Sequence, residues 1–218
     1  MVPAGCIDSI LDISRYQVTP DMARVKAAGE LAVLVKATQG VGSADPEHAR
    51  NVADGLAAGL LIGSYHFLTS DAPAAQMAWF LAHHQGSVAM LDVEAGAGAT
   101  VAIAAACAEI LTSKLGRPPI IYIGQYGPTN DGAGLPNAIL ARCPLMLPAY
   151  SASPPRLPAG WDRWLMWQYT GTGTCPGVTD VTPYVTAVDR SCFAGTPTEL
   201  AAFWATGALP SLTVLRGA

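Results

Sequence analysis

The sequence predicts one α/β domain in which β-strands and helices alternate and the strands close into a single β/α barrel. Apolar runs of strand length alternate with helical stretches through the first half of the 218 residues, as in a parallel sheet. These runs are almost continuously apolar, which is typical of strands that are covered on both faces. With 51% hydrophobic and 13% charged residues, the chain can fill one large core.

The first half of the chain contains five predicted strands, each ending in polar residues and separated by four predicted helices. The predicted strands are residues 10–13, 31–36, 60–66, 88–93 and 119–123. The predicted helices are residues 19–28, 46–58, 72–83 and 100–114. The regular order favours a barrel over an open doubly wound sheet, because the glycine fingerprint of nucleotide binding is absent after the first strand.

The helical pattern fades in the last third of the chain, where Pro-rich and Gly-rich segments have no 3.6-residue period. Strands are predicted at residues 145–150, 164–169 and 185–188, and a short helix at residues 199–205. The fold class is therefore a TIM-like β/α barrel with reduced or missing helices in its last third. Residues 1–218 form a single domain in this prediction, with a core at about residues 8–205 and a C-terminal tail at residues 206–218.

The overall charge and composition exclude several classes of partner. The net charge is −4 and the 12 Lys and Arg residues are scattered, so nucleic acid is not an expected partner. No apolar stretch reaches the roughly 20 residues that span a bilayer, so we expect no membrane insertion. The first 14 residues lack the pattern of a secretion signal. Five cysteines without C-x-x-C spacing favour reduced thiols and signal no zinc site.

The most informative motif is the segment MLDVE at Met90 to Glu94, which closes the fourth strand. Asp92 and Glu94 are two residues apart, so their side chains share one face of the strand. Two close carboxylates repel each other when both are ionised, so one of them tends to keep its proton and can serve as an acid. Glycoside hydrolysis requires this division of labour. A plainer explanation is that both carboxylates face solvent at a strand end.

Polar and aromatic residues also follow the other predicted strands, and the carboxyl ends of barrel strands meet at one face, where catalytic groups gather. These residues are Asp12, Lys36, Gln39, Tyr65, Tyr122, Tyr150, Gln168 and Asp189. The tyrosines are candidate walls for a sugar, because an aromatic ring offers an apolar face to a pyranose. Trp167 alternates with Gln168, so Trp167 faces the core if Gln168 faces the mouth.

Six segments of the chain resemble, in the same order, those of the glycoside hydrolase 25 lysozymes. That family is also called the Chalaropsis-type muramidases and includes many phage endolysins. The segments are LDISRYQ (residues 11–17), VKATQG (35–40), AGLLIGSYHF (58–67), MLDVE (90–94), WQYT (167–170) and VDRSCFAGT (188–196). They resemble the family patterns IDVSHYQ, IKATEG, AGL-GAYHF, LDVE, WQY and VDLN-F-GT. Gln39, Arg15 and Ser191 depart from the Glu, His and Asn that the family usually has at these positions.

The resemblance implies an N-acetylmuramidase that cleaves peptidoglycan glycan strands without a metal or an organic cofactor. It implies that Glu94 is the general acid and that Asp92, Asp12 and Asp189 form the surrounding carboxylate cluster. Our mechanistic hypothesis is that the charge of Asp92 keeps Glu94 protonated. The group that attacks the sugar stays open: water activated by Asp12 or Asp189, or the substrate's own acetamido oxygen. Tyr65, Tyr122, Tyr150, Gln168, Gln39 and Lys36 are the expected substrate-binding residues.

Two other functions are compatible with parts of the sequence. A wall-binding barrel without turnover is suggested only by Gln39, since all four carboxylates are present. A metal-dependent hydrolase would need histidines with ligand spacing, which the four histidines of the chain do not have.

We expect a monomeric enzyme, made in the cytoplasm of an infected or producing bacterium and active on the cell wall after release. Gln39 removes one charge and is expected to shift the pH optimum or the sugar preference.

Overall fold

The structure is a computed structural model that describes residue 2 and residues 4–17, 19–124, 134–151, 156–180 and 187–210. The last residues of the predicted tail, 211–218, lie outside this range. The strands are β1 (Cys6–Ile13), β2 (Ala32–Gln39), β3 (Ser43–Ala44), β4 (Leu61–Phe67), β5 (Val88–Val93), β6 (Ile120–Ile123), β7 (Leu145–Pro148), β8 (Met166–Gly173) and β9 (Val188–Ala194). The helices are α1 (Met22–Ala27), α2 (His48–Ala57), α3 (Pro73–His83), α4 (Val101–Leu115) and α5 (Pro197–Thr206).

Eight strands close into a barrel, which confirms the predicted fold class. The strands β1, β2, β4, β5, β6, β7 and β8 pair in parallel, in that order around the barrel. Strand β9 completes the circle by pairing antiparallel with both β8 and β1. The short strand β3 forms a hairpin with the end of β2. The barrel is therefore parallel except at β9, whose first residues lie where the other strands end.

Local signals at the helix ends explain where the helices begin and stop. The side chain of Thr100 accepts a hydrogen bond from the backbone of Ile103 at the start of α4, and Gly116 ends that helix with φ at +72°. Thr196 and Glu199 form a capping box at the start of α5. Between β7 and β9 the described residues contain no α-helix, as the sequence predicts. No described helix is both long and apolar enough to cross a membrane.

The alternation of side chains along each strand separates an inner core from an outer one. In β5, Val88 and Met90 pack inside the barrel, whereas Leu91 and Val93 pack against the surrounding helices. Asp92 continues the inner row at the open end of the barrel. The same alternation holds in β8, where Met166 lies in the inner core and Trp167 in the outer core. Period-two patterning thus decides which side chains reach the mouth.

A buried ion pair joins the strands on either side of β9. The guanidinium of Arg190 on β9 lies 2.8 Å from Glu30 Oε1 and 3.2 Å from Asp8 Oδ1 on β1. It also donates to the hydroxyl of Tyr169 on β8 at 3.0 Å. The Glu30 side chain is only 3% exposed. Burial raises the pKa of Glu30, and the charge of Arg190 opposes that shift. Arg190 therefore keeps a buried carboxylate compensated at the seam of the barrel.

We expect Arg190→Met to lower the free energy of unfolding by about 3–5 kcal/mol at pH 7, because it leaves Glu30 buried without its counter-charge. The matched control is Arg24→Met, which removes a 2.5 Å pair with Asp180 whose side chains are about half exposed. That variant should cost much less, because solvent screens an exposed pair. Urea unfolding curves measure both values. Equal losses in the two variants would contradict a special role for the buried pair.

Candidate active site

A cavity of about 220 Å³ opens at the end of the barrel where the parallel strands terminate. It contains four carboxylates and, among the residues that line it, a single lysine. The lining residues are Asp12, Ile13, Ser14, Tyr16, Gln17, Lys36, Tyr65, Phe67, Met90, Asp92, Glu94, Tyr122, Gln168 and Asp189. This mouth is the candidate active site, because the carboxyl ends of barrel strands are where such folds carry their catalytic groups.

Asp12 and Asp189 face each other across the seam between β1 and β9. They are directly opposed in the antiparallel register of the two strands. The sequence placed Asp189 after a strand at residues 185–188, and that placement is wrong, because β9 begins at Val188 and contains Asp189. Asp189 still reaches the mouth, since β9 runs in the opposite direction to its neighbours. Partial burial, followed by the charge of Glu94, raises the pKa of Asp189.

Asp92 and Glu94 lie together in the mouth as the motif predicts, but their environments differ. Asp92 is buried, and its Oδ1 has no hydrogen-bond partner among the described residues. Burial, followed by the negative charge of Glu94, raises the pKa of Asp92 well above its usual range, while Lys36 opposes the shift. Glu94 is exposed. Burial therefore favours the protonated form of Asp92 in the free protein.

Asp12 is fixed by a chain of hydrogen bonds that crosses the barrel. Its Oδ2 accepts from Gln168 Nε2 at 3.3 Å and from the hydroxyl of Ser191 at 3.4 Å. Gln168 Oε1 in turn accepts from the hydroxyls of Tyr122 at 2.8 Å and Tyr150 at 3.0 Å. Burial and the nearby charge of Asp189 raise the pKa of Asp12 to about 8. Burial thus raises the proton affinity of two carboxyl groups in the mouth, those of Asp12 and Asp92.

Lys36 brings positive charge to the mouth and binds the residue that departs from the family pattern. Its Nζ donates to Gln39 Oε1 at 2.8 Å and lies 4.9 Å from the centre of the Phe67 ring. Gln39 is exposed and does not line the cavity. The amide holds the ammonium group in place without neutralising it. Lys36 consequently keeps its full charge toward the carboxylates.

The structure brings together most of the site residues chosen from the sequence. Eight of the ten line the cavity, and the other two, Tyr150 and Gln39, each bind a residue that does. Trp167 is buried in the outer core, where its indole nitrogen donates to the carbonyl of Ala149. Sequence reasoning missed Tyr16, whose ring is 66% exposed at the rim. Its position just after the first strand is the signal that could have identified it.

A second cavity, of about 120 Å³, lies at the opposite end of the barrel. Leu145 at the start of β7 and Ala194 at the end of β9 line it together with Trp161 and Trp164. Its lining contains one carboxylate, from the exposed Asp162. Among the described residues, no group of three or more His, Cys, Asp or Glu is arranged to hold a metal ion. Of these two cavities, only the mouth contains paired carboxylates.

Comparison with known proteins gives consistent matches. The model of glycosyl hydrolases family 25 matches residues 11–178. Over 211 residues the chain is 26% identical to "Lysozyme M1" of Streptomyces globisporus, covering 88% of this chain and 69% of the relative. Over 180 residues it is 29% identical to "N,O-diacetylmuramidase" of Chalaropsis sp., covering 72% of this chain and 85% of the relative.

Two solved structures with the same fold align with this chain over nearly their whole length. A bacterial lysozyme from Streptomyces coelicolor superposes with a TM-score of 0.79 at 25% identity, covering 91% of this chain and 97% of the other. A family GH25 lysozyme from Aspergillus fumigatus superposes with a TM-score of 0.78 at 27% identity, covering 91% and 99%. The architecture of the barrel is therefore shared with both.

The buried carboxylates should destabilise the fold near neutral pH. A raised carboxyl pKa means that the folded state holds a proton which the unfolded state releases, so stability falls as pH rises from about 4 to 8. We expect Asp12→Asn and Asp92→Asn to raise the melting temperature at pH 8, with a gain of about 2–4 °C per kcal/mol recovered. The gain should shrink toward zero at pH 4.

Thermal unfolding followed by circular dichroism between pH 4 and 8 measures this difference. The matched control is Asp54→Asn on α2, because Asp54 is exposed and outside the mouth. Its melting temperature should follow the wild type at every pH. A drop in melting temperature of the two mouth variants at pH 8 would show that the buried carboxyl groups stabilise the fold instead.

Proposed function

This chain belongs to glycosyl hydrolases family 25, and from that premise we propose that it is a lysozyme that hydrolyses peptidoglycan. The bond cleaved is the β-1,4 linkage between N-acetylmuramic acid and N-acetylglucosamine. The observation that carries the proposal is the carboxylate cluster of the mouth, in which the buried Asp92 shares a strand face with the exposed Glu94. Glycoside hydrolysis needs one protonated and one ionised group close to the same bond.

The position of Glu94 suits it to deliver a proton to the glycosidic oxygen. It is exposed at the rim, so a glycan strand that enters the mouth contacts it and removes its water. Loss of water raises the affinity of a carboxylate for a proton. Asp92, on the same strand face, holds a proton that can pass to Glu94 when a sugar covers the pair. Asp92 then becomes a negative group close to the developing sugar cation.

Two routes are open for the attack on the anomeric carbon. Either a water molecule attacks, activated by Asp12 or Asp189, or the acetamido oxygen of the substrate attacks while a carboxylate orients it. The routes differ in the configuration of the first product. Inversion, seen by proton NMR of the fresh product, would exclude the route through the acetamido group.

The rim of the mouth offers two exposed aromatic rings for sugars on either side of the cleaved bond. Tyr16 follows β1 and is 66% exposed, and Tyr150 follows β7 and is 65% exposed. Aromatic rings of this kind bury the apolar face of a pyranose and leave its hydroxyl groups free to bond. Tyr65 and Tyr122 line the cavity between them. A glycan strand can therefore lie across the mouth rather than enter it end first.

Other features of this lysozyme stay predictions. A phage origin, synthesis in the cytoplasm of a producing bacterium, a monomeric state and the lack of nucleic-acid or membrane partners rest on the sequence pattern alone. A wall-binding barrel without turnover is the alternative function, and the departure at Gln39 is its only support. The experiment on Glu94 separates the enzyme from that alternative.

We expect Glu94→Gln to lower the rate of peptidoglycan cleavage by at least about 10³-fold, because an amide cannot donate a proton to the leaving oxygen. Clearing of a purified peptidoglycan suspension gives the rate, and mass spectrometry identifies the new reducing ends. The wild type should leave muramic acid at those ends. Glu109→Gln is the matched control, because Glu109 is exposed on α4 outside the mouth.

The control variant should clear the suspension at the wild-type rate. If the wild type binds the suspension without releasing reducing ends, the wall-binding alternative is correct. Glucosamine at the new reducing ends would show that the enzyme is a glycosidase that cleaves the other glycosidic bond of the glycan strand.

Gln39→Glu should move the pH profile of cleavage upward. The new carboxylate would pair with Lys36, whose Nζ already lies 2.8 Å from the side chain at this position. Lys36 opposes the raised pKa of Asp92, so its neutralisation lets that pKa rise further. The measurement is kcat/KM between pH 4 and 9, with Gln17→Glu, which follows β1 and also lines the mouth, as a comparison. An unchanged profile in Gln39→Glu would show that Lys36 does not tune the carboxylates.

A further inference from the structure

Gln168 is almost fully buried, and nearly all of its hydrogen-bonding capacity is used within the protein. Its Oε1 accepts two hydrogen bonds, from the hydroxyls of Tyr122 and Tyr150. A carbonyl oxygen has two lone pairs, so this acceptor is saturated. One Nε2 hydrogen is directed at Asp12 Oδ2. Little of the side chain is left to bind a sugar, which is the role that sequence reasoning gave to it.

The amide of Gln168 has a defined orientation between the tyrosines and Asp12. Both tyrosine hydroxyls donate to its oxygen, and its nitrogen donates to Asp12. Asp12 Oδ2 therefore receives two donors, the Gln168 amide and the Ser191 hydroxyl. An oxygen that accepts two hydrogen bonds is the poorer site for a proton. Asp12 Oδ1 has no partner among the described residues and is the oxygen left for it.

We propose that Gln168 is a positioning residue that, oriented by Tyr122 and Tyr150, directs the proton of Asp12 to Oδ1. Asp12 is then a neutral carboxyl group whose proton lies on its buried oxygen, and Asp189 is the carboxylate left to activate water. The task given to Asp189 rests on the proposed lysozyme function. The protonation of Asp12 and the part played by Gln168 do not depend on it.

The charges around Asp12 agree with a neutral carboxyl group. Asp189 opposes it on β9, and Asp92 and Glu94 face the same cavity from β5. Lys36 on β2 is the cation of the cavity lining, and the tyrosines at positions 65, 122 and 150 are uncharged donors or acceptors. Repulsion from Asp189 adds to burial and raises the pKa of Asp12, against the smaller effect of the Gln168 and Ser191 hydrogen bonds. Burial and the charge of Asp189 therefore favour the protonated form.

The protonation of Asp12 can be measured without any activity. In protein labelled with ¹³C at the aspartate carboxyl groups, the Asp12 signal is the one that is lost in Asp12→Asn. We expect it to titrate near pH 8 in the wild type. Gln168→Met keeps the length of the side chain and removes the donor, so the midpoint should rise. Ser191→Ala removes the other donor and should raise it as well. Titration near pH 4, or a midpoint unmoved in both variants, would overturn the proposal.

Kinetics then separate positioning from sugar binding. We expect Gln168→Met to lower kcat about 10- to 100-fold and to change KM less than about 2-fold. Tyr150→Phe should lower kcat about 2- to 10-fold in the wild type and have no effect when Gln168 is already Met. Tyr16→Phe is the control, because Tyr16 does not contact Gln168, and its own effect should persist in both backgrounds. A rise in KM alone, or independent effects of Tyr150 and Gln168, would assign Gln168 to sugar binding.

The lysozyme function and the positioning role of Gln168 can be tested separately. If the wild type does not cleave peptidoglycan but Asp12 titrates near pH 8 and responds to Gln168→Met, the lysozyme function is wrong and the positioning role stands. If cleavage is normal and Asp12 is ionised at pH 6, the positioning role is wrong and the lysozyme function stands.

Discussion

The antiparallel pairing of β9 with β1 is the constraint on which the rest of the structure depends. It closes the barrel, and it brings the start of β9 to the end where the parallel strands finish. Asp189 is thereby set opposite Asp12, and the next residue, Arg190, reaches the buried Glu30. Alternation along one strand sends neighbouring residues to opposite sides of the wall. One strand thus supplies an acid to the mouth and a counter-charge to the seam.

Closing the barrel also determines the protonation of the mouth. A small cavity walled by apolar strands disfavours charge, so Asp12 and Asp92 keep their protons, and mutual repulsion reinforces the effect. The same burial lowers the stability of the fold at neutral pH. Residues that are required for function often lower stability in this way. Outside the mouth, the buried Glu30 is paired with Arg190. This carboxylate has a structural role, and its charge is compensated.

Much of this arrangement could be predicted from the sequence, because period-two alternation and strand order are local signals. They gave the shared face of Asp92 and Glu94, the opposite sides of Trp167 and Gln168, and eight of the residues that line the cavity. The direction of β9 could not be predicted, since an apolar run reads the same in either direction. The location of the proton could not be predicted either, because it depends on which carboxylate is buried. The hydrogen bonds of Gln168 join residues far apart in the chain and leave no local pattern.

The charge balance of the mouth follows from these contacts. Protonation of Asp12 and Asp92 removes two of the four negative charges, and Lys36, held by a neutral Gln39, offsets a further one. The remaining negative charge is small enough for the cavity to exist without strong self-repulsion. In the proposed mechanism it also grows during the reaction: the passage of a proton from Asp92 to Glu94 leaves the total charge unchanged, and donation of that proton to the glycosidic oxygen adds one negative charge to the mouth. Negative potential then appears at the moment when the sugar becomes cationic, which is the condition for stabilising a transition state more than the bound substrate.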